Sequence, residues 1–387
     1  MSKKLNVAII GGGIGGLAAA NALIHQGIDV TVYERAPELG EVGAGVYITP
    51  NSLRHLYRIG LEDALRAVGA AVDEGSEYYR MDGSFVAPMQ TTASDGLESL
   101  GMHRADLLGT LADALPEGAV VTGRECTGVT QDEAGVVLHF AGGETARADL
   151  AVGADGIQSR LREQIAGASH PIHSGSLAFR GLIDAEALPG WPMRAFQIWM
   201  GDGGKHFMTY PVRANRMMNY VAFIPSSEET LESWSSEGDV EVLRAAFAGW
   251  DKRVTGLLDR IDRCYWWGLY DREPLSRWTD GRVTLLGDAA HPMLPHLGQG
   301  ANQAVEDGVA LAAMLARKPG PEGLAAYEAL RRERTSTVQA GARKNGKRYD
   351  GAYPDQAQRD KEIAASAAFR KSLYDFDVAR EVEKVLA

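Results

Sequence analysis

Residues 5–34 read LNVAIIGGGIGGLAAANALIHQGIDVTVYE, and this stretch decides the fold. Its start, 5–10, is an apolar β-branched run closed by glycine, the pattern of a strand buried on both faces of a parallel sheet. Residues 14–26 are rich in alanine and leucine and stop at Gly27, a residue suited to a helix C-cap. Residues 28–33 form a second strand, so the whole is one βαβ unit. Between strand and helix lies Gly11-Gly12-Gly13-Ile14-Gly15-Gly16, which matches G-x-G-x-x-G at Gly11, Gly13 and Gly16. A lone glycine-rich turn is common. Placed after a strand, opening a helix and followed by Glu34 at the end of the next strand, it is a dinucleotide fingerprint. Gly11 permits the tight turn, Gly13 lets a pyrophosphate approach the backbone, and Gly16 allows close helix–sheet packing. The helix start, including Gly15, offers N–H groups and partial positive charge to the phosphates. Glu34, with Arg35 beside it, is expected at the adenosine ribose.

Composition narrows the rest. The chain holds 45 glycines in 387 residues, about 12% against a usual share of roughly 7%. No G-X-Y period is present and 45% of residues are hydrophobic, which excludes collagen and low-complexity disorder. The surplus glycine is expected where a long cofactor touches bare backbone: residues 11–16, Gly43, Gly45, Gly156, Gly287, Gly298 and Gly300. A net charge of −11 argues against nucleic acid or an anionic membrane as partner, while an anionic small molecule needs only a local positive pocket. Cys126 and Cys264 give neither a disulfide framework nor a metal-ligand spacing, so no metal is expected. The N-terminal apolar run is too short for a signal peptide and no window reaches the ~18 apolar residues of a membrane span. The expectation is a cytoplasmic protein, monomeric or homodimeric.

Along the chain, helices are expected near 50–68 and at 103–115, followed by short strands at 119–122, 126–131, 135–140 and 149–152. The stretch 175–225 alternates apolar and polar residues between Gly, Asn and Pro, like an antiparallel sheet. Residues 281–286 return to a buried strand, followed by a helix over about 298–317. A charged helical region begins at 318, and terminal helices are expected over 355–387. This order suggests an α/β fold in which a Rossmann-like domain is interrupted by an antiparallel insert. The expected boundaries are 1–170 with 268–350, the insert at 171–267 with part of 70–100, and C-terminal helices at 351–387.

Two further segments place Asp beside Gly at the end of a buried strand, where open α/β sheets bind ligands. They are G-A-D-G-I-Q-S-R (153–160) and G-D-A-A-H-P (287–292). Either alone reads equally well as a turn or helix cap. With the first fingerprint, and with E-V-G-A-G-V-Y-I-T-P-N (41–51), H-R-A-D-L (103–107) and G-D-A-A-H-P-M-L-P-H-L-G-Q-G-A-N-Q-A-V-E-D (287–307), the chain resembles the class A flavoprotein monooxygenases over roughly 5–345. Within that superfamily it is similar to salicylate hydroxylase-like enzymes, including 6-hydroxynicotinate 3-monooxygenase and 3-hydroxybenzoate 6-hydroxylase. The resemblance implies a GR2-type FAD-binding domain with non-covalent FAD. Asp288 would hold the ribityl or pyrophosphate region, and Arg104 would contact the cofactor. Gly45 and Val46 would line it, and Asp155 belongs to a motif tied to pyrophosphate and NAD(P)H. Read physically, Pro295-His296-Leu297-Gly298 leads into a helix whose first amides, from Gly298, Gln299, Gly300, Ala301 and Asn302, are free to donate toward a flavin edge.

The implied reaction uses NAD(P)H to reduce FAD and O₂ to form a C4a-hydroperoxyflavin, whose distal oxygen passes to an activated aromatic ring. NADH or NADPH visits transiently, since no second fingerprint exists. The implied substrate is a small phenolic or hydroxy-N-heteroaromatic acid, hydroxylated with or without loss of its carboxyl. The alternative is hydroxylation or epoxidation of a bulkier, non-carboxylated ring such as a polyketide, quinolone or purine. A base near the substrate hydroxyl is required, and three residues compete for it. His206 stands where related enzymes carry a catalytic His; Tyr210 shares its parity along a strand; His296 follows Pro295 beside the expected flavin edge. Tyr47 departs from relatives with His after G-A-G-[IV], and with Pro295 it is expected to touch substrate. Lys205 or Arg180 could pair a carboxylate. Trp199, Phe207 and Met208 could wall the pocket, and at most one of Trp266 and Trp267 should.

Overall fold

The computed structural model describes residues 4–40, 44–226, 236–351 and 353–387. Asn6–Ile10 and Asp29–Tyr33 are parallel neighbours joined by the helix Ile14–His25. They sit in a six-stranded sheet with order Thr279–Asp280, Val283–Leu285, Leu150–Gly153, Asn6–Ile10, Asp29–Tyr33, Val120–Val121. All pairings are parallel except the edge pair at Thr279–Asp280. Val7, Ala8, Ile9 and Val152 are buried, because helices cover the sheet and every inward or outward position meets apolar packing. The helix Gly300–Arg317 lies against Ile14–His25 so closely that a Cβ on Gly308 would stand 2.7 Å from the Ala19 Cα. The expected helix over 50–68 is two helices, Pro50–Arg58 and Glu62–Val68. Gly60 has φ +90°, and Leu61 N–H donates to the Leu56 carbonyl, a C-terminal cap that ends the first helix.

The insert is an eight-stranded sheet with order Ser236–Gly238, Cys264–Asp271, Ile172–Asp184, Met217–Pro225, His206–Val212, Gln197–Met200, Glu77–Arg80, Phe85–Pro88. Only Gln197–Met200 and Glu77–Arg80 run parallel. One face packs Trp199, Phe207 and Tyr220 into a core with the helices Val240–Ala246 and Lys252–Leu258. The other presents Met208, Tyr210 and Phe223 toward the parallel-sheet domain. A small sheet of Gly45–Ile48, Ser99–His103 and Ala70–Val72 bridges the two. The three-stranded meander Cys126–Asp132, Gly135–Phe140, Thr145–Ala148 includes a last strand that sequence reading missed.

After Gly300–Arg317 comes a 30-residue helix, Pro321–Asp350, then Gln356–Ala365, Ala367–Tyr374 and Val378–Leu386. These last helices do not form a separate tail. Arg370 reaches Tyr78 in the antiparallel sheet, and Asp377 pairs with Arg58 in the first part of the chain. Gly43 lies outside the described residues. Much of the surplus glycine serves turns rather than cofactor segments: Gly142 and Gly143, at the tip of a hairpin, both have positive φ.

Candidate active site

One cavity of about 320 Å³ runs from the G-x-G-x-x-G loop to the antiparallel sheet. At one end it is walled by Gly13, Ile14 and Gly15, and by Gly45, Val46 and Arg104. Gly13 has nothing within 4 Å of the place a Cβ would take, so bare backbone faces open space. Gly11 and Gly16 act behind the wall. Gly11 has φ +113°, and a Cβ on Gly16 would stand 2.0 Å from the Gly11 carbonyl oxygen. Glu34 does not line the cavity, nor does Arg35; the Glu34 carboxylate accepts from Gly12 N–H at 2.7 Å and Ala36 N–H at 2.8 Å. It braces the loop while keeping lone pairs for a further donor. This donor-rich, side-chain-free cradle fits a dinucleotide.

The two Asp–Gly segments separate. Asp288 projects into the cavity, where the surrounding walls push its carboxyl above the usual range against the opposing pull of His291 and Arg104. Asp155 does not line the cavity; its carboxylate accepts from Arg160 N–H at 2.9 Å, at the start of the helix Arg160–Ala166. The turn-and-cap reading therefore describes its side chain, and Ala154 and Gly156 are what face the opening. Arg162, which sequence reading missed, ties both segments together by donating to the carbonyls of Ile157, Asp288 and Ala289.

Gly298, Gln299, Gly300 and Ala301 line the middle of the cavity at the start of Gly300–Arg317. Asn302 does not: its side chain donates to the carbonyls of Tyr47 and Gly298 at 2.9 and 2.7 Å and accepts from Thr49 N–H at 2.9 Å. It staples the helix start to the strand Gly45–Ile48. Behind it lies a buried charge network. Arg331 donates to Asp307 at 2.7 Å and to Glu306 at 2.6 Å, and Arg334 donates to Glu306. Burial alone would raise the Glu306 carboxyl, but Arg334 and Arg331 outweigh it and hold it at about 2. Asp307 also accepts from Gly287 N–H at 3.0 Å and contacts His291 at 2.6 Å. The network thus fixes the helix start relative to the Asp288 turn.

The far end is aromatic. Tyr47, Phe196 and Tyr210 form a cluster with ring centres 4.9–5.6 Å apart, and Met208, Trp267, Pro295 and His296 complete the wall. Burial pushes the Tyr210 phenol well above its ordinary value, with Arg180 opposing, so Tyr210 is a hydrogen-bond donor rather than an anion. Burial, reinforced by His206, lowers the His296 imidazole to about 3. His296 is therefore neutral and able to accept a hydrogen bond. Gly346 makes room for it: a Cβ there would stand 2.6 Å from the imidazole.

His206 has the parity expected of it but does not line the cavity. It is fully buried, stacks on Phe223 with ring centres 3.9 Å apart, and its Nδ1 lies 2.6 Å from an Asp350 carboxylate oxygen. Phe223 and His296 thus stand where His206 was expected. Trp199 and Phe207 belong to the opposite face of the sheet, leaving Met208 as the wall residue of that trio. Of the tryptophan pair, only Trp267 reaches the cavity. Lys205 is turned away, donating to the Ala246 carbonyl at 2.9 Å. Arg180 does line the cavity, 4.9 Å from the Trp267 ring centre. Arg370, from the helix Ala367–Tyr374, lines it too, and no motif announced it.

Comparisons with known proteins give the family and the fold. The family described as FAD binding domain matches residues 4–342. The 3-amino-4-hydroxybenzoate 2-monooxygenase of Streptomyces platensis is 40% identical over 94% of this chain and 93% of its own. The 6-hydroxynicotinate 3-monooxygenase of Pseudomonas fluorescens is 38% identical over 88% of this chain and 90% of its own. Among solved structures, a salicylate hydroxylase substrate complex is similar with a TM-score of 0.86 and 28% identity, covering 100% of this chain and 98% of that one. Among the described residues, no helix is long and apolar enough to cross a membrane.

Proposed function

Because the chain belongs to the FAD-binding domain family and is an FAD-dependent aromatic monooxygenase, we propose that it hydroxylates a small aromatic acid bearing a ring hydroxyl, using NAD(P)H and O₂. One oxygen atom enters the ring and the other leaves as water, with NAD(P)H supplying the electron pair. The observation that carries this reading is the continuous cavity joining the dinucleotide cradle to an aromatic chamber with two buried arginines. Bound FAD supplies the redox chemistry, taking a hydride and activating O₂. In this assignment the backbone of Gly13 and Gly15 would meet its pyrophosphate, Gly11 and Gly16 shape that loop from behind, and Glu34 and Arg35, outside the cavity, would meet its adenosine end. Gly45, Val46, Arg104, Asp288 and the backbone of Gly298–Asn302 hold the flavin half.

The remaining residues act on substrate. His296, kept neutral by burial, accepts a hydrogen bond from the ring hydroxyl, raising electron density on the ring before oxygen transfer. Tyr210 remains protonated and donates to the ring substituent. His206, in its contact with Asp350, positions the wall on which His296 and Phe223 rest. Tyr47 and Pro295 close the chamber. The residues divide into a discontinuous cofactor domain, 1–170 with 268–350, a substrate sheet at 171–267 with part of 70–100, and helices at 351–387 that complete the chamber. We propose a cytoplasmic enzyme, where NAD(P)H is at hand.

The test is a panel of hydroxybenzoates, aminohydroxybenzoates and hydroxypyridine carboxylates. Each is scored for stimulated NADH and NADPH consumption and for product mass. A gain of 16 mass units marks simple hydroxylation, and loss of the carboxyl marks decarboxylative hydroxylation. If NAD(P)H oxidation is unaffected by every ring acid while bulky neutral rings stimulate it, the reading fails.

A further inference from the structure

Beyond the cofactor end, two arginines reach the cavity wall, and they are built differently. Arg180 faces the Trp267 ring. Arg370 arrives from the penultimate helix and is only 5% exposed. One terminal nitrogen donates to the Tyr374 phenol and the other to the Tyr78 phenol, each at 3.2 Å. Among the described residues no carboxylate forms an ion pair with it; its charged-state neighbours are the phenols of Tyr78, Tyr374 and Tyr349. Two hydrogen bonds to neutral acceptors leave a five-donor guanidinium with N–H groups to spare at the cavity wall, where an anion would complete them.

We infer that Arg370 anchors the carboxylate of the ring substrate. The inference rests on the ring-acid reading given above and deepens it. Tyr78 and Tyr374 fix the guanidinium fork from behind, so that its free N–H groups meet a planar anion from the cavity side, the geometry arginine matches best. Its charge also acts on the Tyr47 phenol across the chamber. The anchor and His296 share one scaffold. The Tyr78 phenol lies 3.5 Å from that of Tyr349, and Asn345 donates at 2.8 Å both to the Tyr349 phenol and to the His296 carbonyl. With the carboxylate held at Arg370 and the hydroxyl at His296, the span between them selects the positional isomer of the hydroxy acid. It also selects the ring carbon offered to the flavin.

The experiment uses the FAD-loaded enzyme and reads binding from the change in flavin absorbance. The probes are salicylate, 4-hydroxybenzoate and 6-hydroxynicotinate, each paired with its carboxamide. The wild type binds at least one acid tenfold or more tighter than its amide. In Arg370→Met that acid weakens about 10- to 100-fold, as expected for a lost charge-assisted hydrogen bond, while the amide changes less than threefold. Arg370→Lys, which keeps the charge and guards against a folding failure in the methionine variant, retains part of the preference. Arg180→Met retains the preference. The proposal is overturned if the wild type shows no preference for acid over amide, if the preference survives in Arg370→Met, or if only Arg180→Met removes it. If neither acids nor amides perturb the flavin while bulky neutral rings do, the ring-acid reading itself is what has failed.

Discussion

Gly13 and Gly16 are three residues apart in the same motif, yet the structure gives them opposite physical roles, and alanine separates them. Gly13 has φ −75° and ψ −179°, backbone open to any residue, and its added methyl would meet nothing within 4 Å. Gly13→Ala should therefore leave the apoprotein intact or stabilise it by about 0.4–1 kcal/mol through the unfolded chain. The methyl instead fills the approach to the backbone, and losing one or two hydrogen bonds to a charged phosphate raises the FAD Kd roughly 10- to 1000-fold. Gly16→Ala meets the chain itself. Its Cβ would stand 2.0 Å from the Gly11 oxygen, where ordinary contact begins at 3.4 Å, so the helix must retreat about 1.4 Å. Such overpacking costs about 1–3 kcal/mol or more. With an unfolding entropy of about 0.8 kcal/mol/K for a chain of this length, that is a Tm loss of roughly 1–4 °C in the apoprotein. The assay is a thermal melt of each apoprotein together with titration of FAD by fluorescence quenching. The reasoning is refuted if Gly13→Ala melts as early as Gly16→Ala, or if it binds FAD as the wild type does.

Four other outcomes are expected. Arg331→Met takes one buried cation from both Glu306 and Asp307, leaving Arg334 to the first and His291 to the second; a loss of about 3–5 kcal/mol should appear in urea unfolding, and full stability would refute the network's role. Burial lowers His55 to about 4 and His296 to about 3. The unfolded chain therefore gains protons near pH 6.5 that the folded one refuses, and stability falls as pH drops toward those values. Each imidazole contributes up to about 1.4 kcal/mol per pH unit, and His55→Asn should flatten the slope measured between pH 6.5 and 4.5. His296→Asn should cut hydroxylation about tenfold with FAD still bound. Tyr210→Phe, losing only a donor, should cost about tenfold in kcat/KM and leave the pH–rate profile unmoved; a shifted profile would make Tyr210 the proton acceptor instead.

The elements with a strong period were legible: the βαβ unit at 5–34, the alternating strands of 175–225 and the helix opening near 300. Each is governed by local sequence, since burial on one or both faces writes itself into successive residues. Other features depend on what lies across space. The parity that pairs His206 with Tyr210 is real, but parity cannot tell which end of the strand meets the cavity. Asp155 and Asp288 occupy equivalent local patterns, and only the neighbouring helix start decides that one caps while the other faces inward. Arg370 sits in a charged helical tail where nothing local separates it from Arg348 or Lys371. Its burial comes from Tyr78, almost three hundred residues earlier.

That wiring has a consequence in time. The strand Asn6–Ile10 pairs with Leu150–Gly153, which pairs in turn with Val283–Leu285. During synthesis, at roughly 5–20 residues per second, about 7–26 s pass between the appearance of the second strand and the third. Throughout that interval one flank of the cofactor sheet is bare, although the glycine loop has long been made. The chamber closes later still, when Arg370 and Tyr374 emerge. The nascent chain thus becomes competent for its cofactor before it can recognise a substrate.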